Sequence, residues 1–231
     1  MLSRLSDLDT VSNNLANVNT AGFKQSRANF QELLTQGSPN GVQLSATQVM
    51  ADQGAFKTTD NPLDLAVSGN GFFAVTLPDG KTAYTRDGEL HIDPTQGLVN
   101  ASGYRLVWQG SIPANSEEIQ VQPDGTVRSR QGTTWVQVGT IPLSVFTNPS
   151  GLQSNGENLW LASAASSPAK SGTPGSAGFG KICASTIEQS NVNLADEMTH
   201  LMSLQQAFQM SVRTFQQTDG MISEAIHMRK A

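Results

Sequence analysis

The chain has 231 residues, of which 37% are hydrophobic and only 14% are charged, and its formal net charge is −5. This length supports one or two domains with a core of useful size. The net negative charge and the scattered Lys and Arg residues argue against a nucleic-acid binder, which needs a basic face to release phosphate counterions. A single cysteine, Cys183, excludes both an intrachain disulfide and a thiolate metal cage.

The N-terminal segment contains single apolar residues in a polar background, without the continuous apolar core of a secretory signal peptide. No apolar run approaches the roughly 18 residues that a membrane-spanning helix needs, so we expect no membrane insertion. For the general secretory route this pattern predicts a cytoplasmic protein. A dedicated export apparatus would leave no such mark on the sequence.

The first predicted element is an N-terminal helix. Leu8, Val11, Leu15 and Val18 are spaced by three, four and three residues, which is a helical stripe of heptad type. The helix is expected to stop near residues 19–22, where a glycine provides a C-terminal cap or turn.

The middle of the chain changes to a period of two, with turn signals every eight to twelve residues, which indicates an antiparallel sandwich or barrel-like domain. Strands are predicted at 63–67, 72–75, 82–85, 89–92, 98–99, 105–108, 119–121, 126–129 and 135–146. The polar stretch within 35–61 is predicted to be a connector, and Ser163–Gly180 an irregular loop.

The C-terminal end carries a longer heptad pattern, which predicts a long helix. One track, spaced by sevens, consists of Leu194, Leu201, Phe208, Phe215 and Ile222. A second track, offset by four, consists of Met198, Gln205, Val212, Asp219 and Ile226. Asn191 or Asn193 is the expected N-cap, with Asp196 and Glu197 in the first turn.

Both terminal stripes are narrow, so their burial is too small to offset the cost of ordering the two helices alone. Either the helices pair within one monomer, or they stay loose until other subunits supply contacts. The second interpretation predicts an assembly seam formed by Leu8, Val11, Leu15, Leu194, Met198, Leu201, Phe208, Val212, Phe215 and Ile222.

Together these patterns predict an α+β fold in which N- and C-terminal helices form a coiled-coil-like assembly domain around an inserted antiparallel β domain. The predicted boundaries are 1–34 with 188–231 for the helical domain, 35–61 for the connector and 62–187 for the β domain.

The residues that could carry catalysis do not form a recognisable site. Asp196 and His200 are spaced i, i+4, but no further ligand shares the spacing, so a solvated helix-face pair is the better interpretation than a metal site. Gly69-Asn70-Gly71 lacks the following Lys-Ser/Thr of a phosphate loop and predicts a turn. Cys183 lies between Ile182 and Ala184 as a small buried hydrophobe would. We therefore predict no catalytic, cofactor-binding or metal-binding residues, no cofactor and no enzymatic activity.

One alternative from another functional class is a carbohydrate-binding or adhesin-like β domain on a coiled-coil stalk. It requires a concave aromatic patch, for which Trp108, Trp135 and Trp160 are the candidates, although such residues more often pack in the core.

Four segments resemble motifs of the flagellar rod and hook protein family, in the same order. The N-terminal segment is Ser12–Lys24 and includes Asn13, Asn14, Leu15, Ala16, Asn17, Gly22 and Phe23. The other three are Asp64–Phe73, Tyr84–Gly88 and Ser190–Met198. Residues 112–115 and 156–160 look most similar to the distal-rod type, with the proximal-rod type as the close alternative and the longer hook protein third.

This resemblance implies a structural subunit of the basal-body rod, which spans the periplasm and transmits torque. It also implies export by the flagellar type III apparatus and self-assembly into a hollow helical homopolymer. Its partners would be other rod and hook proteins and the surrounding ring proteins, with no nucleic acid. Relative to the family pattern the first helix begins late, so either it is short or Met1 is an internal methionine. The connector from Thr35 to Ala55 also looks shorter than in the distal-rod type.

Overall fold

The computed structural model describes the backbone of residues 2–35 and 38–230, and the side chains of residues 5–29, 48–222, 227 and 228. Within these ranges the chain is α+β and mostly β-structure. The helix α1 (Leu2–Ala16) lies near the start of the chain and the long helix α2 (Leu194–Lys230) near its end, with antiparallel strands between them.

The chain divides into two units. The helical unit comprises Met1–Ala16, Ser26–Thr47 and Asn193–Ala231, and the β unit comprises Asn17–Gln25 and Gln48–Val192. The predicted boundaries, 1–34 with 188–231, 35–61 and 62–187, run differently. The largest differences are that residues 17–25, which include the second half of the N-terminal motif, belong to the β unit, and that residues 35–47 of the predicted connector belong to the helical unit.

In the helical unit, α1 packs against α2 and against the strand β1 (Ser26–Thr35). β1 pairs with β2 (Ser38–Val49) in a two-stranded sheet. Val11 on α1 and Leu204 on α2 are buried. The apolar stripe of the short helix is therefore covered within the chain, at least at its centre.

The segment that was expected to be a connector contains strands. β2 and β3 (Phe56–Thr58) both fall within 35–61, and residues 36 and 37 lie outside the described part. In β2, Val42, Leu44 and Ala46 alternate with polar residues, a period of two that the polar composition of the stretch conceals. Likewise a short strand crosses the predicted irregular loop Ser163–Gly180, at Lys170–Gly172.

The remaining strands of the β unit are β4 (Leu65–Ser68), β5 (Phe73–Thr76), β6 (Thr82–Thr85), β7 (Leu90–Ile92), β8 (Leu98–Asn100), β9 (Arg105–Leu106), β10 (Gln109–Gly110), β11 (Glu118–Val121), β12 (Thr126–Gln131), β13 (Thr134–Thr140), β14 (Leu143–Val145), β15 (Gln153–Ser154), β16 (Trp160–Leu161), β17 (Lys170–Gly172), β18 (Lys181–Ala184) and β19 (Thr186–Glu188). Those before residue 146 agree with the predicted segments, except that β10 was not predicted and the predicted strand 135–146 is divided into β13 and β14, whereas β15 to β19 were not predicted. A short 3₁₀ turn, Pro149–Gly151, lies between β14 and β15.

These strands pair antiparallel in several sheets. The largest has the order β15-β16-β6-β5-β9-β8-β7, and a second has the order β10-β13-β12-β11. The pairs β14-β17, β18-β4 and β19-β3 complete the unit. The last two pairs bring the C-terminal strands back beside the first strands of the unit, so the entry and exit of the β unit are adjacent.

Two apolar clusters fill the β unit. The larger one includes Leu65, Phe73, Ile141 and Ile182, all essentially inaccessible to solvent. The smaller one is aromatic: Phe72, Tyr84, Phe146 and Trp160 meet edge to face with centroid separations of 4.8–5.9 Å. Edge-to-face geometry adds to the burial energy of the rings, which fixes the strands that carry them.

The start of α2 agrees with the capping signals in the sequence, whereas the end of α1 differs from its predicted position. The Ala195 amide donates to Asn193 Oδ1 at 3.0 Å, with Asp196 and Glu197 in the first turn, which confirms Asn193 as the N-cap of α2. α1 ends at Ala16, earlier than predicted, and residues 17–22 form turns instead.

Candidate functional site

The N-terminal motif and the segment before the C-terminal helix meet at a buried ion pair in the β unit. Lys24 Nζ lies 2.5 Å from Glu188 Oε1, and both side chains have no exposed surface. Lys24 Nζ also donates to the Asp52 carbonyl at 2.7 Å. A buried charge must be paired and hydrogen-bonded to be tolerated, and this lysine has both kinds of partner.

Arg86, which follows β6, is the second cation at this carboxylate. Its Nη1 lies 3.4 Å from Glu188 Oε2 and donates to the Val67 carbonyl at 3.1 Å. Its Nη2 donates to the Gly69 carbonyl at 2.9 Å. The guanidinium carbon sits 4.9 Å from the centre of the Phe72 ring, within the range of a cation–π contact.

Backbone groups complete the junction. The Gly22 amide donates to the Glu188 carbonyl at 2.7 Å, and the Gly54 amide donates to Glu188 Oε1 at 2.8 Å. Asn191 Oδ1 accepts the Gln25 amide at 2.7 Å, while its Nδ2 donates to the carbonyls of Met50 and Asp52 at 3.0 Å. We call the set Gly22, Lys24, Arg86, Glu188 and Asn191 the motif clasp.

The motif clasp contains two cations and one carboxylate. Burial lowers the pKa of Lys24, against the opposing effect of its hydrogen bond to Glu188. Burial also lowers the pKa of Arg86, and Glu188 again opposes the shift. Both cations thus depend on the same carboxylate, which makes Glu188 the central residue of the junction.

Asp87 lies next to the clasp and carries a charge that its surroundings oppose. Burial, with smaller contributions from the nearby Glu89 and Asp64 carboxylates, raises the pKa of Asp87 to about 6. The amide of Glu89 donates to Asp87 Oδ1 at 3.1 Å and lowers the pKa, but it does not offset the burial.

We expect Asp87→Asn to stabilise the protein at neutral pH. The amide keeps the Oδ1 acceptor and removes the buried charge, a gain of about 1–3 kcal/mol. Because the pKa of Asp87 is higher in the folded state, the folded wild type binds more protons than the unfolded chain between about pH 4 and 6. The wild type therefore loses stability as the pH rises through that window. Urea denaturation of both proteins from pH 4 to 8 should show the difference growing with pH and then levelling off.

Asp124→Asn is the matched control for this measurement. The Thr126 amide lowers the pKa of Asp124, an exposed turn residue, so its neutralisation should give no gain at neutral pH. Equal responses of the two variants would contradict the assignment of an unfavourable charge to Asp87.

In the helical unit, Asn14 fixes the chain where it leaves α1. Its side chain is 1% exposed; Nδ2 donates to the Ser26 carbonyl, and Oδ1 accepts the Ser26 amide, both at 2.9 Å. Nδ2 also lies 3.3 Å from Glu197 Oε1 on α2. The other motif positions differ in exposure: Asn13 and Ala16 are exposed, whereas Leu15 and Asn17 are partly buried.

The predicted seam residues fall into two groups. Val11 is buried, and Leu8, Leu15, Leu201 and Val212 are partly buried. Exposed positions of the seam are Leu194, Met198, Phe208, Phe215 and Ile222.

The face of α2 that is buried within the chain follows Glu197, Leu201 and Leu204. Of the predicted track through Leu201, only Leu201 lies on this face, because the other residues of the track are exposed. The buried residues beside Leu201 are Glu197 and Leu204 rather than Met198 and Gln205 of the second predicted track. The sequence reasoning missed this because Glu197 is charged and interrupts the apolar pattern, although it is 5% exposed.

Beyond Val212 every side chain of α2 that the structure describes is exposed. Phe215 is 68% exposed, Met221 73% and Met228 71%. A helix of 37 residues is about 55 Å long, whereas α1 with 15 residues reaches about 22 Å. The far part of α2 therefore presents large apolar side chains to solvent.

The candidates for other chemistry do not come together. No group of three His, Cys, Asp or Glu that could hold a metal occurs among the described residues. His200 pairs with Asp7 of α1 at 3.6 Å rather than with Asp196, and Cys183 is only partly buried in β18. None of the helices, as far as they are described, has the length and apolarity to cross a membrane.

The aromatic patch of the adhesin-like alternative is not formed. Trp160 is buried in the smaller apolar cluster and Trp108 packs against the larger one, whereas Trp135 is 40% exposed. Core packing accounts for two of the three candidates.

Three family models match three separate parts of the chain, and all three describe rod or hook proteins of the bacterial flagellum. Residues 3–24 match the flagella basal body rod protein family, and residues 66–129 match the D1 domain of the flagellar hook protein FlgE/F/G. Residues 184–228 match the C-terminal family of the flagellar basal body rod FlgEFG proteins. The motif clasp draws residues from all three matched regions.

Curated relatives resolve the class further. The flagellar basal-body rod protein FlgG of Borreliella burgdorferi is 34% identical over 100% of this chain and 96% of its own length. FlgG of Caulobacter vibrioides is 36% identical, over 99% and 96%. FlgG of Buchnera aphidicola subsp. Acyrthosiphon pisum is 38% identical, over 94% and 92%. The chain belongs to the flagellar basal-body rod protein family.

This membership confirms the predicted family and function. The chain is a structural subunit of the flagellar basal-body rod, and the FlgG relatives fit the distal rod. Its location is the flagellar basal body.

Proposed function

We propose that this subunit builds the rod by packing α2 against copies of itself, so that the terminal helices form a coiled-coil-like inner wall of a hollow helical tube. The observation that supports this is the exposed apolar surface of α2 beyond Val212. A surface helix in water normally places such residues toward a partner. Identical subunits joined by non-closing contacts give a helical filament rather than a ring.

The predicted assembly domain, 1–34 with 188–231, is the part that we propose to contact neighbours, with α1 and α2 as its contact elements. α1 covers only the first part of α2. The two interpretations of the apolar stripes, pairing within the monomer and completion by other subunits, therefore apply to different stretches of α2. The first stretch pairs within the chain, and the rest is completed by other subunits.

The proposed partners are those of a rod subunit: copies of itself, other rod and hook proteins, the surrounding ring proteins, and the type III apparatus that exports it. The chain's relatives are named for structural parts of the flagellum, which supports a role without catalysis, cofactor, nucleic acid or membrane insertion.

The test of this proposal is Phe215→Asp. Loss of a buried Phe contact costs about 2–3 kcal/mol, and the introduced charge adds to that. We expect the critical concentration for polymerisation to rise about 100-fold or more, with the β unit still folded. Sedimentation and electron microscopy measure the first effect, and Trp fluorescence reports the second.

Gln217→Asp is the control, because it introduces the same charge on the opposite side of α2, where Gln217 is exposed. It should polymerise at nearly the wild-type concentration. If Phe215→Asp assembles as readily as Gln217→Asp, the seam does not run through this helix face.

A further inference from the structure

A cavity of about 310 Å³ lies in the β unit beside Arg86. Its walls are Ala51, Asn70, Gly71, Phe72, Arg86, Val145, Phe146, Thr147, Pro149 and Gly178. Most of the lining is apolar or backbone, with exposed Asn70 and Thr147 as its polar side chains apart from the guanidinium. A cavity with one buried cation in an apolar wall is suited to an anionic group on a short aliphatic stem.

Arg86 has hydrogen-bonding capacity that the described chain does not use. Nη1 donates to Glu188 Oε2 and the Val67 carbonyl, and Nη2 donates to the Gly69 carbonyl, but Nε is buried and has no acceptor among the described residues. The residue is only 4% exposed, and it lines this cavity. A buried donor without an acceptor costs free energy. The Nε–H of a guanidinium and the N–H of its neighbouring Nη can together donate to the two oxygens of one carboxylate.

The charge at this point is also unbalanced. Lys24 and Arg86 share the single buried carboxylate of Glu188, and Asp52, the other carboxylate near Lys24, is exposed. Burial lowers the pKa of both cations. A second carboxylate near Arg86 would neutralise the excess positive charge where the surrounding dielectric is low and the attraction is strong.

We propose that this cavity is a socket for a carboxylate, filled in the assembled rod by an acidic side chain of a second copy of this chain. The choice of a second copy as the occupant rests on the proposed self-assembly of the chain. Charge complementarity supports it, because the chain has 19 Asp and Glu against 14 Lys and Arg and so presents acidic groups in excess. Phe72 and Phe146 contact the stem of the entering side chain, and Arg86 binds its carboxylate.

The Nε–H resonance of Arg86 in the full-length ¹⁵N-labelled protein tests the socket directly, and Arg86→Lys assigns it by its disappearance. Dilute monomer is titrated with sodium acetate and, at equal ionic strength, with sodium chloride. Assembled protein prepared without added carboxylate is examined by solid-state NMR. We expect a saturable downfield shift with acetate but not chloride, and a downfield shift on assembly alone.

The outcomes separate the site from its occupant. A shift with acetate but none on assembly would overturn the second copy as the source, leaving a site for free carboxylates. An acetate shift in a chain that never assembles would contradict the proposed function and the occupant, but not the carboxylate chemistry. An unmoved resonance in both experiments would overturn the socket itself.

Thr147→Glu provides a test that does not alter the clasp. A glutamate at the mouth of the cavity should occupy the socket from within the same chain, shift the Arg86 resonance in the monomer, and raise the critical concentration about tenfold. Thr133→Glu adds the same charge at an exposed hairpin tip and should do neither. Equal assembly by the two variants would contradict the proposed occupant.

Discussion

Replacing Glu188 with alanine is expected to destabilise the β unit by about 3–5 kcal/mol, because it leaves two buried cations without their shared counter-charge. The side chains of Lys24 and Arg86 are 0% and 5% exposed, so solvent does not compensate for the loss. The substitution also removes the acceptor of the Gly54 amide. Urea denaturation followed by the fluorescence of buried Trp160 measures the effect in the full chain.

The charges of the motif clasp predict an asymmetry between its members. Glu188→Ala raises the buried charge from one positive unit to two, whereas Lys24→Met reduces it to zero. Lys24→Met should therefore cost less than Glu188→Ala, although it removes a cation from an observed ion pair. The double variant should cost less than the sum, with a coupling of about 1–3 kcal/mol.

Glu118→Ala is the control for the glutamate substitution. Glu118 pairs with Arg130 at 3.3 Å on the surface, with both side chains about half exposed, and such pairs contribute little. Glu118→Ala should lower the free energy of unfolding by no more than about 0.5 kcal/mol. A Glu188→Ala variant as stable as this control would show that the clasp does not stabilise the fold.

The sequence predicted most strands of the β unit because each one combines a local period of two with a turn. Thr82–Thr85 lies within its predicted bounds, and in β11 the alternation of exposed and buried residues matches the pattern of Ile119 and Val121. The turns follow the same local chemistry: the Lys81 amide donates to Asp79 Oδ1, as expected for an Asp-Gly turn.

The motif clasp could not be predicted from the residues in this way. Lys24, Arg86 and Glu188 are separated by 62 and 102 positions, and no local period relates them. Their pairing depends on β19 returning beside β3, which is a property of the whole sheet arrangement. The motifs marked the segments that contain Lys24 and Arg86, but nothing local distinguished Glu188 from an ordinary surface glutamate.

The buried face of α2 was only partly predicted, again because the contacts that determine it are distant in the sequence. A heptad pattern identifies tracks of apolar residues, but it does not say which neighbouring tracks a partner covers. Polar contacts decided this at the start of the helix, where Glu197 is buried beside Asn14. A period search that counts only apolar residues cannot detect such a position.

Gly22→Ala is expected to destabilise the protein by more than about 3 kcal/mol, through backbone strain and a clash with the backbone of residues 86 and 87. Gly22 has φ +65°, and a Cβ built on it would lie 2.3 Å from the Asp87 amide nitrogen and 2.4 Å from the Arg86 carbonyl carbon. Both are backbone atoms, so no side-chain rotation relieves the overlap. The turn must move away from residues 86–87, which also weakens the bond from the Gly22 amide to the Glu188 carbonyl.

Gly80→Ala separates the two causes, because Gly80 has φ +80° but nothing within 4 Å of its would-be Cβ. That variant should lose only the strain of the left-handed conformation, about 1 kcal/mol. The excess for Gly22→Ala, measured by the same urea denaturation, is the cost of moving the turn of the N-terminal motif away from residues 86 and 87. Equal losses would mean that the turn moves freely, and the motif would then not tie the start of the chain to Arg86 and Glu188.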